Sequence, residues 1–265
     1  DARRNGILPS LASMWPESAL YPTATGDADK ARRDSEGKPI SAAGARDEYL
    51  WCPTYAADNS PEAFGPITRR IREEGWDGFD LDHEGAHPQC FCDRCKALFR
   101  DRRRLAPAAL TWPQDVLPEG KLHQEWMDFH LWNTGRHVQA VRQAVKAGNP
   151  RALLFSWFLP SLYEHNPTGP YADTYQRRLG SQMQAGYDLR QFMQYLDYAN
   201  MANGVYPQGE DTWAYEWGLT WAFNRVEATV GNPWGVPLAP CINLTETTWS
   251  DMRYLRWQTK THIVQ

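Results

Sequence analysis

Short apolar runs of strand length alternate with amphipathic helical segments along this chain, and no other feature narrows its fold so far. The first run, residues 5–13 (NGILPSLAS), reads as a buried strand that leaves through a loop over residues 14–22. A polar excursion over residues 26–47 precedes the Trp51-Cys52-Pro53 turn, and residues 61–74 then carry apolar positions at helical spacing. Further strands are expected at 78–82, 152–158, 197–206 and 236–244, and further helices at 123–147, 190–195 and 251–264. In the longest helix Trp126, Phe129, Val138, Val141 and Val145 recur at helix period, and Gly148-Asn149-Pro150 supplies its stop.

Strands separated by helices require crossover connections, which make a sheet parallel. The long connections all follow the C-terminal ends of the strands, the end at which barrel enzymes build their sites. The expected fold class is therefore α/β, a (β/α)8 TIM barrel formed as a single domain over residues 1–265, with a metal-clip insertion around residues 85–100. Five strands are legible where a closed barrel has eight. The chain is thus expected to be a partial barrel whose early strands and last strand lie elsewhere. A doubly wound open sheet is the alternative, although no glycine-rich phosphate loop follows any of the strands.

Cys90-Phe91-Cys92-Asp93-Arg94-Cys95 places three thiols within six residues, and Cys52 stands in a Trp-Cys-Pro turn before the preceding helix. Four thiolates suit a tetrahedral zinc ion, and a closed shell of four sulfurs leaves no position for water, so such a metal is structural. The competing arrangement is disulfide bonding, with Cys52 paired to one cluster thiol and two others crowded into a tight turn. Cys241, in an expected strand, reads as a small buried apolar residue.

The run from Asp82 through Glu84, Cys90, Cys92, Cys95 and Phe99 to Arg100 resembles the glycoside hydrolase family 42 β-galactosidases and related putative glycosidase barrels. In that family a catalytic strand end is followed by a C-aromatic-C-x-x-C-x-x-x-F segment, and an earlier Cys-Pro loop, similar to Cys52-Pro53, completes a zinc site. The resemblance spans residues 51–100 and implies zinc as the cofactor and a carbohydrate as the substrate. It departs at His83, because the family has Asn directly before its acid/base Glu. In the related barrels, whose D-G-F-D-x-D strand is equally similar, the carboxylate at this strand end need not have the same role.

Alternation along β structure puts Asp80 and Asp82 on the face opposite Phe79 and Leu81, and Glu84 on the same side at the mouth. Glu84 is the expected general acid/base, with Asp82 beside it and Asp80 as an inward substrate contact. Structural roles for the two aspartates are the alternative: Asp80 orienting a barrel base and Asp82 capping the next loop. Glu246, after another strand, is the expected nucleophile, with Glu210, Asp211 and Glu216 as substitutes. Facing carboxylates of this kind cleave glycosides with retention when about 5 to 5.5 Å apart. Trp157, Tyr206 and Trp217 are expected to stack on sugar rings, with Trp213 and Trp221 nearby.

Thirteen Trp and 12 Tyr suit sugar faces and apolar cores alike. Retaining glycoside hydrolysis is the leading function; a non-catalytic carbohydrate-binding barrel and a metal enzyme using Asp80, Asp82, Glu84 and His87 are the alternatives. A net charge of -4 and a pI near 6.0 argue against nucleic acid as a partner. No apolar run approaches the roughly 18 residues of a membrane span, and Asp1-Ala2-Arg3-Arg4 is no apolar leader. A soluble chain is expected, in the cytoplasm ahead of a periplasmic or secreted setting, and a homo-oligomer is compatible with it.

Overall fold

A computed structural model describes residues 10–14, 23–25, 27–41, 48–82, 89–158, 189–201, 235–236 and 238–240. In chain order the strands are β1 (Ser10–Met14), β2 (Thr23–Thr25), β3 (Glu48–Leu50), β4 (Gly78–Asp82), β5 (Leu153–Phe158), β6 (Tyr198–Met201) and β7 (Leu238–Pro240). The helices are α1 (Pro53–Asp58), α2 (Ser60–Glu74), α3 (Asp93–Arg103), α4 (His123–Gly148) and α5 (Leu189–Met193).

Five strands form one sheet in the order β1-β4-β5-β6-β7, every pairing parallel. The order follows the chain without reversal, whereas a doubly wound sheet reverses at a switch point. All five strands anticipated from the apolar runs are present. Met14, expected in the loop after the first strand, instead belongs to β1 and lies in register with Asp82. Parallel pairing with β4 extends β1 to the last residue that finds a partner.

The strand residues Phe79, Leu81 and Leu154 are fully buried against Phe64, Ile67 and Ile71 of α2 and Val138, Val141 and Val145 of α4. One face of the sheet is thus covered by the crossover helices, as the period-2 pattern of β4 requires. The two helices approach closely because α4 presents Ala140, Ala144 and Gly148 in one row. Ser60 and Thr68 of α2 donate to the Ala140 and Ala144 carbonyls at 3.3 and 2.9 Å. A Cβ on Gly148 would lie 2.8 Å from the Thr68 carbonyl oxygen, so only glycine permits this crossing. Gly75, at φ 73°, ends α2 in the left-handed conformation, and its amide donates to Ile71 O.

Asp197, just before β6, fastens α4 to the sheet. Its carboxylate accepts from Arg142 at 2.9 Å, Lys146 at 2.8 Å and the Leu154 amide at 2.8 Å. Burial works to raise its pKa, but donation from Lys146, the Leu154 amide and Arg142 prevails and holds the carboxyl below its usual range.

The polar excursion after β1 is more ordered than its composition suggests. β2 and β3 pair antiparallel, and isolated bridges join Ala31 to Trp51, Arg33 to Pro39 and Ser41 to Tyr49. Two helices had no separate sequence signal: α1, which Pro53 opens, and α3, which begins inside the cysteine run. Among the described residues no helix is long and apolar enough to cross a membrane. The helix expected at 251–264 lies outside the described residues.

Candidate metal centre

The four cysteines of the sequence pattern converge. Cys52, Cys90, Cys92 and Cys95 are all buried, and their sulfurs lie within 4.8 Å of one another. A tetrahedral site with metal–sulfur bonds near 2.3 Å has sulfur–sulfur edges of about 3.8 Å. Here Cys52 Sγ stands 3.4 Å from Cys92 Sγ and 3.5 Å from Cys95 Sγ, close to such edges. A disulfide needs about 2.05 Å, and all four cysteines are free, so the disulfide arrangement is not adopted.

The backbone explains why the thiols meet. Cys52 is the N-cap residue of α1 and Cys92 that of α3, while Cys95 sits in the first turn of α3. Two helix N-termini therefore point partial positive charge at the sulfurs, which favours thiolate. Hydrogen bonds from Cys52, Cys90 and Cys95 hold the Cys92 thiol far below its ordinary range, whereas the other three thiols push Cys95 well above it. Four thiolates at this spacing repel one another, and a divalent cation is what allows all of them to ionise together. The donor set, its burial and its spacing fit a metal ion.

Around the thiols is a second apolar core. Phe99, Leu110, Val116, Trp126 and Phe129 pack with the four cysteines. Trp126 stacks on Phe129 with centroids 5.1 Å apart and meets Phe99 edge-on at 5.3 Å. Its indole donates to Gln89 Oε1 at 2.6 Å. At 26 residues, α4 is about 39 Å long, more than twice a five-residue strand of about 17 Å. Its C-terminal half packs on the sheet, and its N-terminal half, carrying Trp126 and Phe129, overhangs to form the floor of the clip. Two tryptophans thus have structural partners: Trp126 in this core, and Trp132 beneath Arg102 at 3.9 Å and Arg136 at 5.2 Å.

The acidic strand end lies beside the clip in the chain. Asp80 is buried on the face of β4 opposite Phe79 and Leu81, in register with Phe155, which in turn pairs with Tyr198. The Phe155 and Tyr198 rings stack 4.4 Å apart, and burial, together with the Asp80 charge, pushes the Tyr198 phenol up to about 12. Asp82 and Trp157 are register partners at the C-terminal ends of β4 and β5. Tyr198 carried no sequence signal beyond its place at the start of an expected strand; its register and its stacking on Phe155 put it on the same sheet face as Asp80. Glu84, Glu246, Tyr206 and Trp217 lie outside the described residues, as do His83, His87, Glu210, Asp211, Trp213, Glu216, Trp221 and Cys241.

No known protein family matches the chain, and no curated protein matches it. Among solved structures it is similar to a cold-adapted β-galactosidase from Rahnella sp. R3, with a TM-score of 0.52 and 14% identity. The match covers 83% of this chain, which spans 32% of the length of that one. A β-galactosidase from Bacillus circulans sp. alkalophilus also matches, with a TM-score of 0.41, 13% identity and coverage of 74% and 30% of the two chains. At such identity, the likeness to the Rahnella enzyme is one of fold alone.

Proposed function

We propose that this chain is the central part of a (β/α)8 glycosidase barrel that hydrolyses O-glycosidic bonds, braced by one structural zinc on Cys52, Cys90, Cys92 and Cys95. The observation that carries the proposal is the parallel sheet in unreversed order, similar in fold to a β-galactosidase, with an acidic strand leading through residues 83–88 into the thiol cluster. A terminal β-galactoside is accordingly the first substrate class to test.

In this scheme Glu84 protonates the leaving oxygen and Glu246 attacks the anomeric carbon. Water then hydrolyses the glycosyl-enzyme with Glu84 as base, giving retention. Asp82 supports Glu84 at the strand end, and Asp80, Trp157, Tyr206 and Trp217 bind the sugar. Closure of the sheet by further strands and a single domain over residues 1–265 belong to the same proposal. Zinc takes no part in the reaction, because four sulfurs complete its shell.

The test is Glu84→Gln in the full-length protein. Loss of general acid/base help is expected to slow cleavage of alkyl galactosides by about 10²- to 10⁴-fold. Aryl galactosides with good leaving groups, which need little protonation, should lose less in the glycosylation step. Undiminished cleavage would remove Glu84 from the role. Galactoside binding without any cleavage by the wild-type protein would favour a non-catalytic carbohydrate-binding barrel instead.

A further inference from the structure

We propose that Thr54 is a positioning residue for the metal clip, donating its hydroxyl hydrogen to the Cys95 sulfur at the end of a relay from Arg136 through Asn133. This rests on the assignment of a metal to the four thiols.

Thr54 follows Cys52 by two residues in the first turn of α1, so the turn that delivers one ligand also delivers this hydroxyl. Its Oγ1 lies 3.2 Å from Cys95 Sγ and 3.0 Å from Asn133 Nδ2. Thr54 and Asn133 are both buried, where a polar pair is costly unless its hydrogen bonds are made. Valine would fill the Thr54 volume without that cost, so the hydroxyl needs a reason of its own.

The direction of the relay follows from its outer end. Arg136 Nη1 lies 3.3 Å from Asn133 Oδ1, and a guanidinium has donors only, so the amide must turn its oxygen towards Arg136. Its nitrogen then donates to Thr54 Oγ1, which leaves the hydroxyl hydrogen for sulfur. A metal-bound thiolate is an acceptor, and this is the hydrogen bond it needs. Arg136 is held in turn by an ion pair with Asp58 and by the Trp132 ring. The relay thus reaches from the surface of α4 to one ligand of the clip, and partners of this kind are typically worth 10- to 100-fold in metal affinity.

Cobalt(II) is the probe, titrated into the full-length wild-type protein and variants against a competing chelator. Thr54→Val is expected to weaken Co(II) binding by about 10- to 100-fold. It should also move the sulfur-to-cobalt charge-transfer band to lower energy, because a thiolate without its hydrogen bond is the better electron donor. Thr54→Ser should restore both readouts. Asn133→Asp should reproduce the Thr54→Val effect although Thr54 is intact, since the new carboxylate claims the hydroxyl hydrogen. Wild-type affinity and an unshifted band in Thr54→Val would overturn the inference, and if that variant does not fold, the same result in Asn133→Asp would do so. Failure of the wild-type protein to take up Co(II) would overturn the metal assignment itself.

Discussion

Stripping metal from the clip should loosen one part of the chain before the rest. The described residues form two separate apolar cores, one between the sheet and α2, α4 and α5, the other around the four cysteines. The excursion over residues 27–41 hangs on the second core through three contacts. The Cys52 amide donates to Lys30 O at 2.8 Å, the Phe91 amide to Arg33 O at 2.8 Å, and the Arg94 guanidinium to Asp29 O. With free metal at 1,000 times its dissociation constant, binding only to the folded state contributes about 4 kcal/mol. At about 2 to 4 °C per kcal/mol for a domain of this size, chelation should lower Tm by about 8 to 16 °C. Hydrogen exchange with and without chelator locates the effect. Amides at 30–33, 52 and 91–96 should lose protection first, while those in β4, β5 and the C-terminal half of α4 retain theirs. A Tm indifferent to chelator, or exchange rising equally in β4 and α3, would refute this account of the clip.

Asp197→Asn should destabilise the protein by about 2 kcal/mol at pH 7, since charge-assisted bonds to Arg142, Lys146 and the Leu154 amide weaken together. The native carboxyl titrates below its unfolded value, so this stability is present above about pH 4 and fades as pH falls through the folded pKa; urea melts of both proteins should differ less at pH 3 than at pH 7. Gly148→Ala should destabilise by about 1 to 3 kcal/mol, because the Thr68 carbonyl and Ile71 side chain, at 2.8 and 2.9 Å, must yield; thermal melts of wild type and variant decide it.

The sheet was legible because each strand is a short apolar run with a helix on either side, a pattern that survives without knowledge of its neighbours. The edges were less so: Met14 reads as loop until β4 supplies a partner, and α3 hides in a cysteine run with Arg94, Arg100, Arg102, Arg103 and Arg104 around it. The convergence of the four thiols was readable from spacing, since a C-x-C-x-x-C turn can aim three sulfurs at one point. Thr54 and Asn133 were not. They are 79 residues apart, and only the docking of α1 on α4 turns an ordinary threonine and asparagine into neighbours of a ligand.

The clip also accounts for a segment that could not order itself. Residues 27–41 are rich in both acids and bases, and only Ala31 and Arg32 among them are buried, too little apolar surface to offset the entropy of fixing the backbone. What holds them is bonding to the backbone at Leu50 in β3 and at Cys52 and Phe91, the latter two packed in the apolar core around the thiols and, in our proposal, fixed by the metal. Cys90 in turn anchors the far end of the 83–88 connection whose near end is Asp82 in β4. The same four sulfurs therefore bear on two connections that follow strands, after β1 and after β4. A change at Cys52 should be felt in both, even though only one of them contains it.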